Sequence, residues 1–203
     1  MKHITVSLAV EGLLDEQVLR CLLMQSGKPL KAGACYGKQG RNHLLQNLYR
    51  FNQASIHTPF IVLADLDRDE CAPALVKRWL PSGGHPNFIL RIAVREIESW
   101  LMADAQAFAE FLGVPPSRIP LRPDEESDPK ALVISLARRS RYREAREDIV
   151  PAPSSTSQVG KNYNGQLSKF VLQHWNVQRA RKCSPSLDSA LSAIKDFTPT
   201  TFN

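Results

Sequence analysis

The sequence has no uninterrupted hydrophobic run of the roughly 18 residues that a membrane-spanning helix requires. Its N-terminal apolar segment, ITVSLAV, is too short for the core of a signal peptide. That segment also meets Glu11 where a small-residue cleavage site would be needed. These absences predict a cytoplasmic protein that does not contact a membrane.

Cysteine is scarce, and no two cysteines form a CxxC pair. No histidine stands at zinc-finger spacing from a cysteine either, which excludes the common zinc modules. Scattered single cysteines are typical of free thiols in a reducing compartment, not of a disulfide framework. The four residues concerned are Cys21, Cys35, Cys71 and Cys183.

The overall composition is that of an ordinary globular protein, with 43% hydrophobic and 23% charged residues. A chain of 203 residues can form one sizeable core, or one core with a small appended subdomain. The formal net charge of +6 permits a polyanionic partner such as nucleic acid. It does not by itself predict one, because the position of the positive charge matters more than the total.

The most informative stretch is an apolar run at 60–64 that leads directly into Asp65, Asp67 and Asp69. A short apolar run rich in β-branched residues is typical of a buried strand in a parallel sheet. Ligands of open α/β sheets bind at the carboxyl ends of the strands. Closely spaced aspartates there offer the oxygen ligands that Mg²⁺ prefers. An acidic turn or a helix N-terminus is the alternative interpretation.

Strand and helix patterns alternate over the first half of the chain, which predicts βαβ crossovers and a parallel sheet. We expect an α/β fold with a mainly parallel four-stranded sheet, helices on both faces, and a helical C-terminal subdomain. The predicted domains are 1–112 and 113–203. The predicted strands are 3–10, 29–36, 59–65 and 88–94, and the predicted helices are 13–25, 42–54, 72–80, 95–112, 129–139, 164–175 and 186–194.

Carboxylates follow three of the predicted strands: Glu11 the first, Asp65 and Asp67 the third, and Glu96 and Glu98 the fourth. In a doubly wound sheet the first and third strands are neighbours, which would bring Glu11 near the aspartates. Crowded carboxylates repel one another unless a cation or a proton lies between them. A divalent metal ion is therefore the simplest explanation of this pattern.

The order of these motifs resembles the TOPRIM domain, the Rossmann-like catalytic fold of topoisomerases, primases and overcoming-lysogenization-defect nucleases. That family carries a Glu at the turn after its first strand and a DxD after a later strand. The matching positions are Glu11, in VEGLLDE, and Asp65-Leu66-Asp67, in VLADLDRD. Over most of its length the chain is also similar to a group of TOPRIM-like bacterial proteins with VEG, DxD, and a REIESW-like segment running into WLMAD.

The resemblance implies a nuclease that performs Mg²⁺-dependent (or Mn²⁺-dependent) phosphodiester chemistry on nucleic acid. It assigns the metal to Asp65 and Asp67, and the role of general acid/base or further ligand to Glu11. Glu98 and Glu96 would complete a second metal site or orient the first. The sequence shows no ATPase domain of the kind fused to overcoming-lysogenization-defect proteins. We therefore expect either a stand-alone nuclease or, by similarity to anti-phage defence proteins, one subunit of a system whose ATPase is a separate polypeptide.

Two basic segments are candidate nucleic-acid contacts, since Lys and Arg neutralise phosphates. The first is the glycine-rich loop Gly37-Lys38-Gln39-Gly40-Arg41, whose spacing matches neither a Walker nor a Rossmann loop. The second is the arginine cluster at 138–146. A solvated loop is the alternative for the first segment, and a solvated helix face is the alternative for the second. The candidate residues are Lys38, Arg41, Arg138, Arg139, Arg141 and Arg143.

Two other enzyme classes fit the sequence less well than a nuclease does. A haloacid-dehalogenase-type phosphatase is disfavoured for two reasons. Its nucleophilic aspartate follows the first strand, whereas the aspartates here follow the third. It also carries Thr or Val two positions after its second aspartate, where this sequence has Asp69. A receiver-type phosphotransfer domain carries acids after its first and third strands, a pattern that this sequence partly meets. The sequence lacks the lysine that such a domain has at a fifth strand, which counts against this function. The remaining alternative is a module with a TOPRIM-like fold that binds nucleic acid or a partner protein without cutting.

Overall fold

The structure is a computed structural model that describes residues 3–200. It divides into two compact units. Unit 1 comprises Met1–Val94 with Ser186–Asn203, and unit 2 comprises Arg95–Pro185. The sequence prediction instead ended the first domain at 112 and assigned the whole C-terminal part to the second. In the described part of the chain, no helix is long and apolar enough to cross a membrane.

The α/β architecture predicted from the sequence is confirmed. Unit 1 contains one four-stranded sheet in the order β2-β1-β3-β4, and each pair of neighbouring strands is parallel. The first and third strands are therefore adjacent, as the sequence predicted. The strands are β1 (Ile4–Val10), β2 (Leu30–Gly37), β3 (Phe60–Asp65) and β4 (Phe88–Ala93).

Helices make up most of the rest of the described chain. The helix predicted over 95–112 is interrupted at Asp104, whose backbone leaves the helical conformation and whose carboxylate accepts hydrogen bonds from Arg179. The helices are α1 (Leu13–Gln25), α2 (Arg41–Ala54), α3 (Ala72–Trp79), α4 (Ile97–Met102), α5 (Ala105–Leu112), α6 (Pro129–Arg138), α7 (Arg143–Ile149), α8 (Tyr163–Gln173), α9 (Val177–Ala180) and α10 (Pro185–Asp196).

The sheet is buried on both faces. One face packs against α2 and α3, with Val62 and Leu90 in the same core cluster as Leu44 of α2 and Leu75 of α3. The alternate strand residues, such as Ile61, are also fully buried. Strands buried on both faces carry near-continuous apolar sequences, which explains why 60–64 contains no polar residue. The carboxyl ends of the strands are the part of the sheet where polar side chains begin.

The C-terminal helix α10 belongs to unit 1, not to a C-terminal subdomain. Ser186 accepts a hydrogen bond from the backbone of Val94, and Ser189 accepts one from Arg91 on β4. Asn87, just before β4, exchanges hydrogen bonds with the backbone of Thr200. These contacts join residues about a hundred positions apart, so no local sequence pattern could have revealed them.

Unit 2 is all-helical and has its own core. Phe108 of α5 and Phe170 of α8 meet edge to face with ring centroids 5.0 Å apart, and both side chains are fully buried. The indole of Trp175 donates a hydrogen bond to the backbone carbonyl of Trp100, at 3.1 Å. The helices of unit 2 thus pack around aromatic side chains contributed by distant parts of the sequence.

We expect Gly37→Ala to lower the free energy of unfolding by about 1–3 kcal/mol. Gly37 ends β2 with φ of 86°, and an added Cβ would overlap the carbonyl oxygen of Val10 on β1. Gly27→Ala is the matched control, because Gly27 has φ of 75° but open space around the Cβ position. Chemical denaturation of both variants measures the difference. An equal loss in the two would show that the contact with β1 is unimportant.

Candidate active site

The parallel pairing of β1 with β3 brings two acidic positions to one edge of the sheet. Val10 pairs with Leu63, so Glu11, just after β1, lies beside the end of β3. One carboxylate oxygen of Glu11 accepts a hydrogen bond from the backbone N–H of Asp65, at 3.1 Å. This contact joins positions 54 residues apart in the sequence and fixes Glu11 at the carboxyl end of the sheet.

The environment of Glu11 favours its neutral form. Burial is the largest cause and raises the pKa of this carboxyl to about 7, and the neighbouring carboxylates of Asp15 and Asp67 act in the same direction. The hydrogen bond from Asp65 and the positive charge of Arg41 oppose the shift. A carboxyl group with this pKa exchanges its proton near neutral pH, as a general acid or base must.

The aspartates that follow β3 lie in a tight turn. The backbone N–H of Leu66 donates to the carbonyl of Ala93 on β4, and that of Asp69 donates back to Leu66. Asp67 has φ of 50°, in the left-handed region that Asp and Asn adopt more readily than most residues. The turn therefore presents the Asp67 side chain in a conformation that few other residues could adopt without strain.

A guanidinium group lies among the aspartates. Arg41, the first residue of α2, donates to the Asp65 carbonyl at 2.9 Å and to a carboxylate oxygen of Asp67 at 2.7 Å. It also pairs with Asp69, and its guanidinium carbon lies 5.0 Å from the ring centroid of Trp79. Arg41 thus neutralises part of the aspartate turn, and its predicted contact with nucleic acid stays a prediction.

Asp69 is held from a second side by Arg78, whose guanidinium also pairs with it. The hydrogen bond from Arg78 is the main reason that the pKa of Asp69 is lowered from its ordinary value, and the charge of Arg41 adds to it. Asp69 is therefore ionised over a wider pH range than a solvated aspartate. The sequence had placed Asp69 in the acidic cluster, but the two arginines make it a structural anchor of the turn.

The acids of unit 1 fit a magnesium ion in their chemistry but do not form a preassembled cage. Within residues 3–200, no three or more His, Cys, Asp or Glu side chains are arranged to hold a metal as they stand. Mg²⁺ needs fewer protein ligands than that, since it keeps several waters and commonly uses one or two carboxylates together with substrate phosphates. Asp65 and Asp67 supply two such carboxylates, and an ion there would share Asp67 with Arg41.

The other cation of the glycine-rich loop also has an acidic partner. The ammonium of Lys38 donates to Glu16 of α1 at 3.1 Å, and Arg20 pairs with the other carboxylate oxygen at 2.8 Å. These partners lower the pKa of Glu16 against the opposing effect of its burial. In this structure Lys38 therefore joins the loop to α1. Its predicted contact with nucleic acid stays a prediction.

The two glutamates that follow β4 along the chain both lie near Lys130 in unit 2. Glu96 accepts hydrogen bonds from the backbone and side chain of Lys130, at 2.9 and 3.3 Å. Glu98 is only 1% exposed, accepts a hydrogen bond from the hydroxyl of Tyr163 at 2.9 Å, and lies 3.8 Å from the Lys130 ammonium. Burial raises the pKa of Glu98 to about 7. Their predicted role as metal ligands stays a prediction.

The four arginines predicted to bind nucleic acid have different surroundings in unit 2. Arg143 pairs with Glu147 one turn along α7, at 2.6 Å, and Arg141 stacks over the ring of Tyr142. Arg138 and Arg139 are exposed at the end of α6. Sequence reasoning missed Lys130 and Tyr163 as partners of Glu98, because their separations of 32 and 65 positions carry no local signal.

Comparison with known proteins places the chain in a family. A family profile described as "Domain of unknown function (DUF4276)" matches residues 10–195, which is most of the sequence. The chain belongs to this family. The matched range includes Glu11, the aspartate turn and all of unit 2. No curated protein and no solved structure gives a significant match.

Proposed function

We propose that the protein is a Mg²⁺-dependent nuclease whose active site is formed by Glu11, Asp65 and Asp67. The observation that carries the proposal is the hydrogen bond between Glu11 and the backbone of Asp65, which brings the acids after β1 and β3 to one edge of the sheet. The resemblance of these two motifs to the TOPRIM pattern supports it. That resemblance also supports a cytoplasmic role in anti-phage defence with a separate ATPase partner protein.

Each residue of the site has a distinct part in the proposed reaction. The backbone N–H of Asp65 holds Glu11 in place, and the Glu11 carboxylate takes the proton of the attacking water. Asp65 and Asp67 would hold the magnesium ion, which when bound supplies charge to polarise the phosphate for attack. Arg41 keeps the aspartate turn in its conformation and brings a positive charge to the edge where a phosphate would lie.

The direct test is cleavage by the purified protein. Supercoiled plasmid, single-stranded DNA and RNA are incubated with Mg²⁺, with Mn²⁺, or with EDTA, and products are followed by electrophoresis. We expect cleavage of at least one substrate with either metal and none with EDTA. If no substrate is cut, even when a candidate ATPase partner is added, the nuclease proposal is wrong.

The second candidate function is a binding module that does not cut. The position of Arg41 favours it, because a guanidinium already neutralises Asp67 and Asp69. In that case the protein binds nucleic acid with the same affinity in Mg²⁺ and in EDTA, and calorimetry detects no Mg²⁺ binding. Calorimetry with Mg²⁺ alone therefore separates the two functions without an activity assay.

We expect Arg41→Ala to tighten Mg²⁺ binding on the order of tenfold, because it removes a half-buried charge of the same sign as the ion. Arg78→Ala is the matched control, since Arg78 is more exposed than Arg41 and pairs with Asp69. Isothermal titration calorimetry of both variants gives the two affinities. Unchanged Mg²⁺ affinity in Arg41→Ala would show that the ion does not use Asp67.

A further inference from the structure

Unit 2 contains an open groove of about 640 Å³ in which three cations converge. Arg138 is the last residue of α6, Arg146 lies on α7, and Lys161 precedes α8. A solvated basic helix would place its charges along one element, whereas these come from three. The volume lies within the range of about 300–1,000 Å³ that is typical of ligand pockets.

The positive charge of the groove is only partly compensated. Glu147 also lines it but is paired with Arg143, at 2.6 Å. The ammonium of Lys161 lies 3.8 Å from Asp148, which accepts shorter hydrogen bonds from neighbouring amide groups. Within residues 3–200, Arg138 has no ion-pair partner, and its side chain is exposed. The groove therefore carries a net positive charge available to an anionic ligand.

Apolar residues also line the groove. Its wall consists of consecutive small and apolar residues, from Val150 through Pro151 and Ala152 to Pro153. Arg146 is steadied by a hydrogen bond to the backbone carbonyl of Ser140. A ligand that fits both parts has phosphates for the cations and flat, weakly polar groups for the proline-rich wall. Nucleotides of a single strand have this combination, because their bases are unpaired.

We propose that this groove binds single-stranded nucleic acid, with backbone phosphates on Arg138, Arg146 and Lys161 and sugar or base against Pro151 and Pro153. The proposal rests on the proposed function for its biological meaning, since it names the strand that a nuclease would hold. The binding itself is measurable without metal and without cleavage. Of the four arginines predicted from the sequence, only Arg138 lines this groove.

The test is fluorescence anisotropy of labelled oligo(dT) and oligo(U) with the full chain in EDTA. We expect Arg138→Glu/Lys161→Glu to weaken binding of at least one strand about tenfold or more. The slope of log affinity against log salt should fall by about 1.4, because each single-strand phosphate contact contributes about 0.7. Arg118→Glu/Lys182→Glu is the matched control, with two exposed cations of unit 2 outside the groove. It should change affinity by less than about threefold.

Three outcomes would overturn the proposal. The first is wild-type affinity in the groove variant, and the second is an equal loss in the control variant, which would show that total charge alone matters. The third concerns labelled polyglutamate as a probe. If it binds the wild-type protein as tightly as the nucleic-acid strand does, and loses as much affinity in the groove variant, the groove is a general polyanion site. Because strand binding is measured in EDTA, without cleavage, failed cleavage and failed strand binding are separate results.

Discussion

Cleavage by Glu11→Gln is expected to be slower than cleavage by the wild-type protein by a factor of about 10²–10⁴, the usual contribution of a general acid or base. Glutamine keeps an oxygen that accepts the hydrogen bond from Asp65 but cannot take a proton from water. Asp65→Asn should lose a comparable factor, because its side chain would no longer bring negative charge to the metal. The rates are measured on the substrate that the wild-type protein cuts best.

Stability measurements show whether such losses come from the site or from unfolding. Glu11→Gln should be at least as stable as the wild-type protein at about pH 8, where burial makes the ionised Glu11 unfavourable. Glu70→Gln is the matched control, an exposed acid just beyond the aspartate turn, and should cut at the wild-type rate. Undiminished cleavage by Glu11→Gln and Asp65→Asn would remove both residues from the mechanism.

We expect Glu98 to lower the stability of the protein as the pH rises from about 4.5 to about 7. Burial raises the pKa of Glu98 from 4.5 to about 7 in the folded state. In this window the folded state keeps the proton that the unfolded state has released. The free energy of unfolding therefore falls as the pH rises, by about 1.4 kcal/mol per unit and roughly 3 kcal/mol in all. Below the unfolded pKa the stabilisation is fully present.

The variant Glu98→Gln isolates this contribution. Glutamine has no charge to bury. The free energy of unfolding of Glu98→Gln should therefore lack the decline with rising pH that Glu98 causes in the wild-type protein. Only the difference between the two curves is diagnostic, because Glu11 contributes with the same sign over the same pH range. Urea denaturation at several pH values measures it, with Glu110→Gln, an exposed acid of unit 2, as control. Parallel curves for wild-type protein and Glu98→Gln would contradict the prediction.

Local sequence patterns were sufficient for most of unit 1. The apolar runs at 4–10 and 60–64 are strands because both faces of the sheet are covered, so each strand reads as a continuous hydrophobic segment. The break at Asp104 was missed, since a single residue held by a distant arginine leaves no periodic trace. The placement of α10 beside β4 was missed for the same reason.

The candidate site was only partly accessible from the sequence. The rule that parallel strands end at one edge was enough to expect Glu11 near Asp65, and they are in contact. Nothing in the sequence indicated that Arg41 would pair with Asp67 and Asp69, because an arginine at the start of a helix can turn toward solvent as easily as toward an acid. The same holds for Lys130 and Tyr163 around Glu98.

By itself, the sequence determined the class of fold, the number of strands, the adjacency of the first and third strands, and which acids stand at strand ends. These depend on hydrophobic periodicity and on chain connectivity, both of which are local. Only the tertiary structure decided which charges meet around Asp67 and Glu98, because Arg41 and Lys130 come from elements distant in the sequence and their pairing follows no regular sequence spacing. The protonation of Glu11 and Glu98 was decided at the same level, since burial is a property of the packed fold.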